Sequence, residues 1–100
     1  MAVKLLMTWD IRPGREQEYF EFVVREFMPG IQRIGLKPSE AWVTTYGDQP
    51  QIMTGMLADS SEEMQVALDS EEWITLRGQL LEYVINLESK VIEARGGFQM

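Results

Sequence analysis

The most constraining feature of this sequence is a strand pattern that leads through a tight turn into a helix pattern, all within residues 3–27. Apolar side chains recur at every second position up to residue 11, and this alternation places them on one face of a β-strand. Pro13 and Gly14 then end the strand, because proline cannot donate to a sheet ladder and glycine tolerates the conformations of a reversal. We therefore expect a strand whose apolar face is formed by Val3, Leu5, Met7, Trp9 and Ile11.

A helix is predicted to begin at residue 14 or 15 and to run to about Met28. Its apolar stripe, at spacings of three and four, consists of Tyr19, Phe20, Val23, Phe27 and Met28. Pro29 predicts a break, since a residue that precedes proline is disfavoured in the helical region. Proline can also open a new helical turn, so residues 29–34 are predicted to form a short second segment that ends at Gly35.

The middle of the chain predicts two strands joined by a short loop. Residues 39–46 are rich in β-branched and aromatic side chains, which favour strands, and residues 47–50 have a typical turn composition. The return strand, residues 51–58, has apolar side chains on both faces. Its two faces are Ile52, Thr54 and Met56 on one side and Met53, Gly55 and Leu57 on the other.

The last third predicts two capped helical segments and a final strand. Ser60 and Glu63 have the spacing of a capping box, and Ser70 marks a second helix start. The apolar stripe of the second segment is predicted to run from Trp73 through Leu76, Leu80, Leu81 and Val84, and the interior Gly78 is expected to be tolerated rather than required by packing. Residues 87–94 are then predicted to form the last strand.

This order of elements predicts one α+β domain, residues 1–100, with a ferredoxin-like βαββαβ fold. Its four-stranded antiparallel sheet would have both helices on one face. The uncovered face would expose the second apolar side of residues 51–58, together with Leu6 and Ile92. Large exposed apolar patches usually mark interfaces, so we expect a homodimer that packs sheet against sheet.

Composition excludes several classes of function. The net charge is −7 and the nine basic residues are scattered among sixteen acids, so no nucleic-acid surface is predicted. The chain has no cysteine and no histidine, which removes the usual nucleophile relays, transition-metal ligands and haem ligands. We predict no metal site and no cofactor. No apolar run is long enough for a signal peptide or a membrane span, so a cytoplasmic location is the simplest expectation.

The chain resembles the dimeric α/β barrel superfamily, which includes antibiotic-biosynthesis-monooxygenase-like and NIPSNAP-like small proteins. The resemblance rests on the strand end from Trp9 to Gly14, the aromatic helix after it, and the Gly35 to Pro38 entry into the second strand. It implies a homodimer whose sheets close a barrel, with a small molecule between the sheet and the helices of each subunit. Haem-degrading and several isomerase-like members rely on a histidine that this chain lacks.

Candidate site residues are aromatic and apolar rather than ionisable. Trp9, Trp42 and Tyr46 offer flat apolar walls with polar tips for an aromatic ligand, and the alternative interpretation is ordinary core or interface packing. If Trp9 lies near the end of the first strand, its predicted neighbours in a slot below the helices are Tyr19, Val23, Leu80 and Tyr83. Asp10 and Arg12 suggest either a base with an anion-binding group or a simple surface ion pair.

Two functions follow from this site. The first is a non-catalytic dimeric module that binds a small apolar or aromatic molecule or serves as an assembly unit. The alternative is a cofactor-independent monooxygenase, in which an electron-rich aromatic substrate itself reacts with oxygen in a dry pocket. The residues identify no catalytic acid or base.

Overall fold

The computed structural model describes residues 1–44 and 51–94, and within them the predicted α+β ferredoxin-like fold is confirmed. The predicted loop of residues 47–50, the end of the second predicted strand and the last six residues of the chain lie outside the described part. The elements in chain order are β1 (Val3–Ile11), α1 (Glu16–Phe22), a π-helical turn (Val23–Phe27), α2 (Met28–Arg33), β2 (Lys37–Val43), β3 (Ile52–Ala58), α3 (Ser61–Asp69), α4 (Glu71–Leu80) and β4 (Val84–Glu93).

The strands form one antiparallel sheet in the order β2-β3-β1-β4, so β1 lies at the centre beside β3 and β4. Residues directly opposite each other on neighbouring strands share a face. The pairs Leu5 with Met56 and Trp9 with Ile52 therefore face the helices, whereas Thr8 with Met53 belongs to the other side. We call this second side the open face; its residues include Lys4, Leu6, Thr8, Glu40, Trp42, Met53, Gly55, Leu57, Glu88, Lys90 and Ile92.

The first strand has the predicted alternation. Every apolar residue of its helix-facing side is buried, and the residues between them are partly exposed. Trp9 is almost fully enclosed and meets the ring of Phe27 edge-on at 6.1 Å between centroids. The core therefore forms between this strand and the helical layer, as the sequence predicted.

The predicted helix break at Pro29 is wrong, because the chain stays helical from Glu16 to Arg33. The turn before the proline widens instead, and the backbone N–H of Met28 bonds to the carbonyl of Val23, five residues back. A widened turn at this point makes room for the proline ring, which would clash with the carbonyl four residues back in a regular α-helix. The second segment is confirmed as α2, and Gly35 follows it with a positive φ of 91°.

The apolar stripe of this helix differs from the prediction at two positions. Phe20 is 53% exposed, whereas Phe22, which the pattern did not single out, is buried against the core. Tyr19 and Phe22 are three residues apart and share a helical face, and the π-helical turn brings Phe27 onto the same face five residues later.

Both predicted helix caps are present. The Ser60 hydroxyl accepts from the Glu63 N–H, and the Ser70 hydroxyl accepts from the Trp73 N–H, each at 3.1 Å. Gly78 has open space where a Cβ would lie, as expected of a tolerated glycine.

Val84 was predicted in the helix stripe but is the first residue of β4, which begins three residues earlier than expected. The regular alternation of this strand is broken by Asn86, whose left-handed φ of 59° lies at a register shift between β1 and β4. A strand pattern interrupted in this way does not show its true start in the sequence.

Candidate ligand cavity

A cavity of about 440 Å³ lies between the helical layer and the β2–β3 half of the sheet. Its walls are predominantly apolar. The helical side and β1 contribute Trp9, Tyr19, Phe20, Val23, Phe27, Met28 and Ile31. The other wall consists of Pro38, Ser39, Glu40, Ala41, Trp42 and Val43 of β2 and Ile52, Thr54, Gly55 and Met56 of β3.

The cavity exists because the helical layer stops short of the edge strand. Ala41 and Val43 of β2 pair with Thr54 and Ile52, so their side chains point to the helix side of the sheet. Both nevertheless remain exposed, which shows that no described helix covers this end of the sheet. The uncovered strip between α2 and β2 is thus the entrance, and Trp9 lies at its inner end.

Trp9 and Tyr19 form a buried hydrogen-bonded pair in the cavity wall. The Trp9 indole Nε1–H donates to the Tyr19 hydroxyl at 3.0 Å, and the two rings meet edge-on at 6.4 Å. Burial raises the pKa of Tyr19, an effect that the hydrogen bond from Trp9 opposes only in part. The phenol is therefore a neutral hydrogen-bond donor at physiological pH and not a base.

The hydroxyl of Tyr19 still has its own hydrogen to donate. An indole N–H is a donor only, so the bond from Trp9 occupies a lone pair of the phenol oxygen and leaves its O–H free. Among residues 1–44 and 51–94 no acceptor for this hydrogen is found. The tyrosine thus offers one donor group in an otherwise apolar wall.

Thr54 is a second polar group of the same wall. Its Oγ1 is buried and has no hydrogen-bond partner within the described part of the chain. The carboxylate of Glu40, by contrast, is engaged by Lys4 across the open face of the sheet. The uncommitted polar chemistry of the cavity therefore comes from two hydroxyls, those of Tyr19 and Thr54.

The structure brings together four of the seven residues singled out from the sequence. Trp9, Tyr19 and Val23 line the cavity together. Trp42 also borders it, although its pairing with Met53 places its side chain on the open face, where it is 56% exposed. Tyr46 lies outside the described residues.

Leu80 and Tyr83 do not line the cavity. Leu80 is fully buried in the core at the end of α4. Tyr83 stacks on Phe22 at 5.1 Å between ring centroids. The guanidinium of Arg15 also lies over the Tyr83 ring, 5.1 Å from its centroid. The expected slot thus opens toward β2 and β3 and not toward the second helical region.

Sequence reasoning missed most of the cavity wall. Ile52, Thr54 and Met56 were assigned to one face of their strand, but only the register of β3 against β1 places that face next to Trp9. Phe20 was assigned to the core stripe and instead lies exposed at the cavity, with its ring 5.0 Å from that of Tyr19. No sequence pattern predicted that β2 forms part of the cavity wall, because its side chains are mostly exposed.

Asp10 and Arg12 form neither an ion pair nor a catalytic pair. The carboxylate of Asp10 accepts from the backbone N–H of Gln51 at 2.8 Å and from Nδ2 of Asn86 at 3.0 Å. These two bonds, the Asn86 one being the stronger influence, lower the pKa of Asp10. Arg12 donates to the carbonyl of Leu81 instead. Asp10 therefore ties β1 to its two neighbours and takes no part in the cavity.

Two broader features concern the described residues as a whole. No group of three acidic side chains lies close enough to hold a metal ion in residues 1–44 and 51–94. None of the helices found there has the length and hydrophobicity that crossing a bilayer requires.

Comparison with known proteins identifies the fold. No protein-family model and no curated protein matches the sequence. Among solved structures, a NIPSNAP family protein from Agrobacterium tumefaciens is similar with a TM-score of 0.68 and 18% identity, over 95% of this chain and 87% of that chain. SnoaB, a cofactor-independent oxygenase from Streptomyces nogalater, is similar with a TM-score of 0.70 and 12% identity, over 99% and 98%.

A third similar structure is a dimeric protein of unknown function with a ferredoxin-like fold from Bacteroides fragilis. Its TM-score is 0.62 at 14% identity, over 93% of this chain and 96% of that chain. The predicted resemblance to the dimeric α/β barrel superfamily is thereby confirmed at the level of the fold. At identities this low the likeness extends to the fold alone.

Proposed function

We propose that this protein is a homodimer that binds a small apolar or aromatic molecule in the cavity between α1, α2 and strands β2 and β3. The observation that supports this proposal most directly is the cavity itself. Protein interiors normally close-pack, and a space of about 440 Å³ beside Trp9 lies within the size range of small-molecule sites. Its walls are mainly apolar with a few polar groups, which is the usual composition of such sites.

The open face of the sheet supports the homodimer. Leu6 of β1 lies opposite Gly55, diagonally between Met53 and Leu57 of β3, and Trp42 and Ile92 are exposed on the flanking strands. A second copy of the same face would cover these side chains by two-fold symmetry. The Bacteroides fragilis protein of the same fold is itself dimeric.

Binding is tested with tetralin, a bicyclic hydrocarbon small enough for the cavity, by calorimetric titration. The Ala41→Phe variant fills the cavity from β2, an exposed edge strand that accepts aromatic residues well. We expect the wild-type protein to bind tetralin and Ala41→Phe to lose at least tenfold in affinity. Native mass spectrometry of protein purified without added ligand would reveal a retained molecule.

The matched control is Val66→Phe, which adds the same ring at a position on α3 that is 72% exposed and is not part of the cavity wall. It should bind tetralin as the wild-type protein does. Absence of binding by the wild-type protein would refute the proposed function, and equal binding by all three proteins would place the site elsewhere.

A second candidate is oxygenation of an electron-rich aromatic substrate without a cofactor. Two observations favour it: the fold is similar to that of the cofactor-independent oxygenase SnoaB, and the neutral Tyr19 donor lies in a mainly apolar wall. The substrate would supply the electrons, as when an anthrone and one O₂ give an anthraquinone and one water. The residues would contribute orientation, dryness and a hydrogen bond to the developing oxyanion.

Oxygen consumption with anthrones and hydroquinones separates this candidate from simple binding. We expect a catalysed rate to fall to the background rate in Ala41→Phe and to persist in Val66→Phe. Ligand binding without oxygen consumption above background by the wild-type protein would leave the non-catalytic function.

A further inference from the structure

We infer that Tyr19 determines which aromatic molecule the cavity accepts, namely one that bears a hydrogen-bond acceptor, such as a ring ketone, to which the Tyr19 hydroxyl donates. This inference rests on the proposed function, since it presupposes that the cavity binds a ligand. It adds the chemical class of that ligand and the residue that selects it.

The first argument is the direction of the hydrogen bond between Trp9 and Tyr19. The indole N–H can only donate, so in the 3.0 Å bond the phenol oxygen is the acceptor and its hydrogen has to point elsewhere. A buried O–H without an acceptor is costly, and the described residues offer none. An acceptor atom on a bound molecule would give this O–H a partner.

The second argument is the fixed orientation of the tyrosine ring. Tyr19 is held edge-on by Trp9 on one side and by Phe20 on another, with centroids at 6.4 Å and 5.0 Å. Trp9 is itself packed against Phe27, and the rings of Trp9, Tyr19 and Phe27 are all buried. A donor held in this way discriminates between ligands more sharply than a mobile side chain, because little side-chain entropy is lost on binding.

The third argument is the lack of competing charge. The ionisable groups that the described cavity wall contains are Tyr19 and Glu40, and Glu40 is bound by Lys4. A neutral acceptor on an apolar body therefore matches the wall, whereas a charged ligand would lose its hydration without gaining a partner. Thr54 is the other hydroxyl that could receive the ligand's polar atom, and the test has to distinguish the two.

The test uses 1-tetralone and tetralin, which differ in one ring carbonyl, with the wild-type protein, Tyr19→Phe, Thr54→Val and Tyr83→Phe. The measured quantity is the ratio of the two dissociation constants in each protein, because the cost of dehydrating the carbonyl cancels when ratios are compared. We expect Tyr19→Phe to shift the ratio against 1-tetralone by about three- to tenfold, the usual effect of one neutral hydrogen bond. Thr54→Val tests the other hydroxyl of the wall. The matched control is Tyr83→Phe, which removes a phenol hydroxyl outside the cavity wall and should leave the ratio unchanged.

Each outcome separates the two proposals. If neither compound binds the wild-type protein, the proposed function fails and this inference fails with it. If both bind with the same ratio in all four proteins, the cavity binds ligands but Tyr19 does not select them. A shift in Thr54→Val instead of Tyr19→Phe would assign the carbonyl to Thr54 and overturn the inference.

A measurement on the wild-type protein keeps the inference testable should Tyr19→Phe fail to fold, since that variant leaves the Trp9 N–H unpaired. The infrared carbonyl band of bound ¹³C-labelled 1-tetralone should lie at lower frequency than in an alkane solvent, as expected for a carbonyl that accepts a hydrogen bond. A band at the alkane position would contradict the assignment.

Discussion

Asp10 shows how a single residue that invites a catalytic interpretation can instead serve the sheet. Its carboxylate accepts from Gln51, which immediately precedes β3, and from Asn86 of β4. The side chain of Gln51 accepts in return from the N–H of Ile11 at 2.9 Å. The charged form is thereby favoured in the folded protein. Asp10 therefore stabilises the folded protein while its carboxylate is charged.

We expect Asp10→Asn to lower the free energy of unfolding by about 1 kcal/mol at neutral pH, since it removes a charge-assisted acceptor from a partly solvated site. Because folding lowers the pKa of Asp10 below its ordinary value of 3.8, its contribution is complete above that value and is lost as the pH falls through the folded-state pKa. The gap between the variant and the wild-type protein should therefore close in acid. Urea unfolding at fixed protein concentration and a series of pH values measures it.

Asp59→Asn is the matched control for this experiment. It removes the same charge from an exposed carboxylate that lies 3.7 Å from Lys37, a kind of pair that contributes little to stability. A loss of stability in Asp59→Asn as large as in Asp10→Asn would show that net charge, and not the two hydrogen bonds, is responsible.

At the scale of elements, the sequence correctly predicted the features that depend on hydrophobic periodicity and on capping residues. The alternation of β1 and the two serine caps are local properties, and all of them are confirmed. The continuation of the helix through Pro29 and the early start of β4 at Val84 were not predictable in the same way. A π-helical turn adds one residue to a helix and a bulge adds one residue to a strand. Neither addition changes the hydrophobic periodicity of the sequence in a recognisable way.

The two interior glycines of the helical layer provide a prediction at this scale. A Cβ on Gly30 of α2 would collide with the buried side chain of Leu76 of α4, whereas one on Gly78 would meet nothing within 4 Å. Alanine gains roughly 0.5–1 kcal/mol of helix propensity at either position. We therefore expect Gly78→Ala to be more stable than the wild-type protein by about that amount.

Gly30→Ala should be about 1–3 kcal/mol less stable than Gly78→Ala, because overpacking a well-filled contact offsets the gain in propensity. Thermal and urea unfolding of the two variants under identical conditions gives this difference directly. Equal stability of the two would mean that Leu76 moves aside freely and that the close approach of α2 to α4 is not a tight contact.

At the scale of the whole molecule, the cavity could be predicted only in outline. Trp9, Tyr19 and Val23 follow from the strand and helix patterns, which place them between sheet and helices. The β2 and β3 wall depends on register and on how far the helical layer extends, and these are non-local properties. The sequence therefore predicted the inner end of the cavity and not its entrance.

The two faces of β3 provide the last prediction, since Ile52 and Met53 are adjacent in sequence and lie on opposite sides of the sheet. Ile52 is buried below the helices and Met53 pairs with Thr8 on the open face. If two copies pack through their open faces, a charge at residue 53 is buried in the interface without a partner, at a cost of several kcal/mol. We expect Met53→Asp to be a folded monomer at micromolar concentration, with the mass in light scattering falling from twice the chain mass to one.

Ile52→Asp is the matched control, because it places the same charge one residue away in the core of the subunit. It should lose the cooperative unfolding transition and the ordered tryptophan environment, whereas Met53→Asp should retain both. A wild-type protein that is already monomeric, or a Met53→Asp variant that remains dimeric, would contradict sheet-to-sheet assembly. Dissociation of Met53→Asp with an intact fold would identify the open face as the surface through which the two subunits meet.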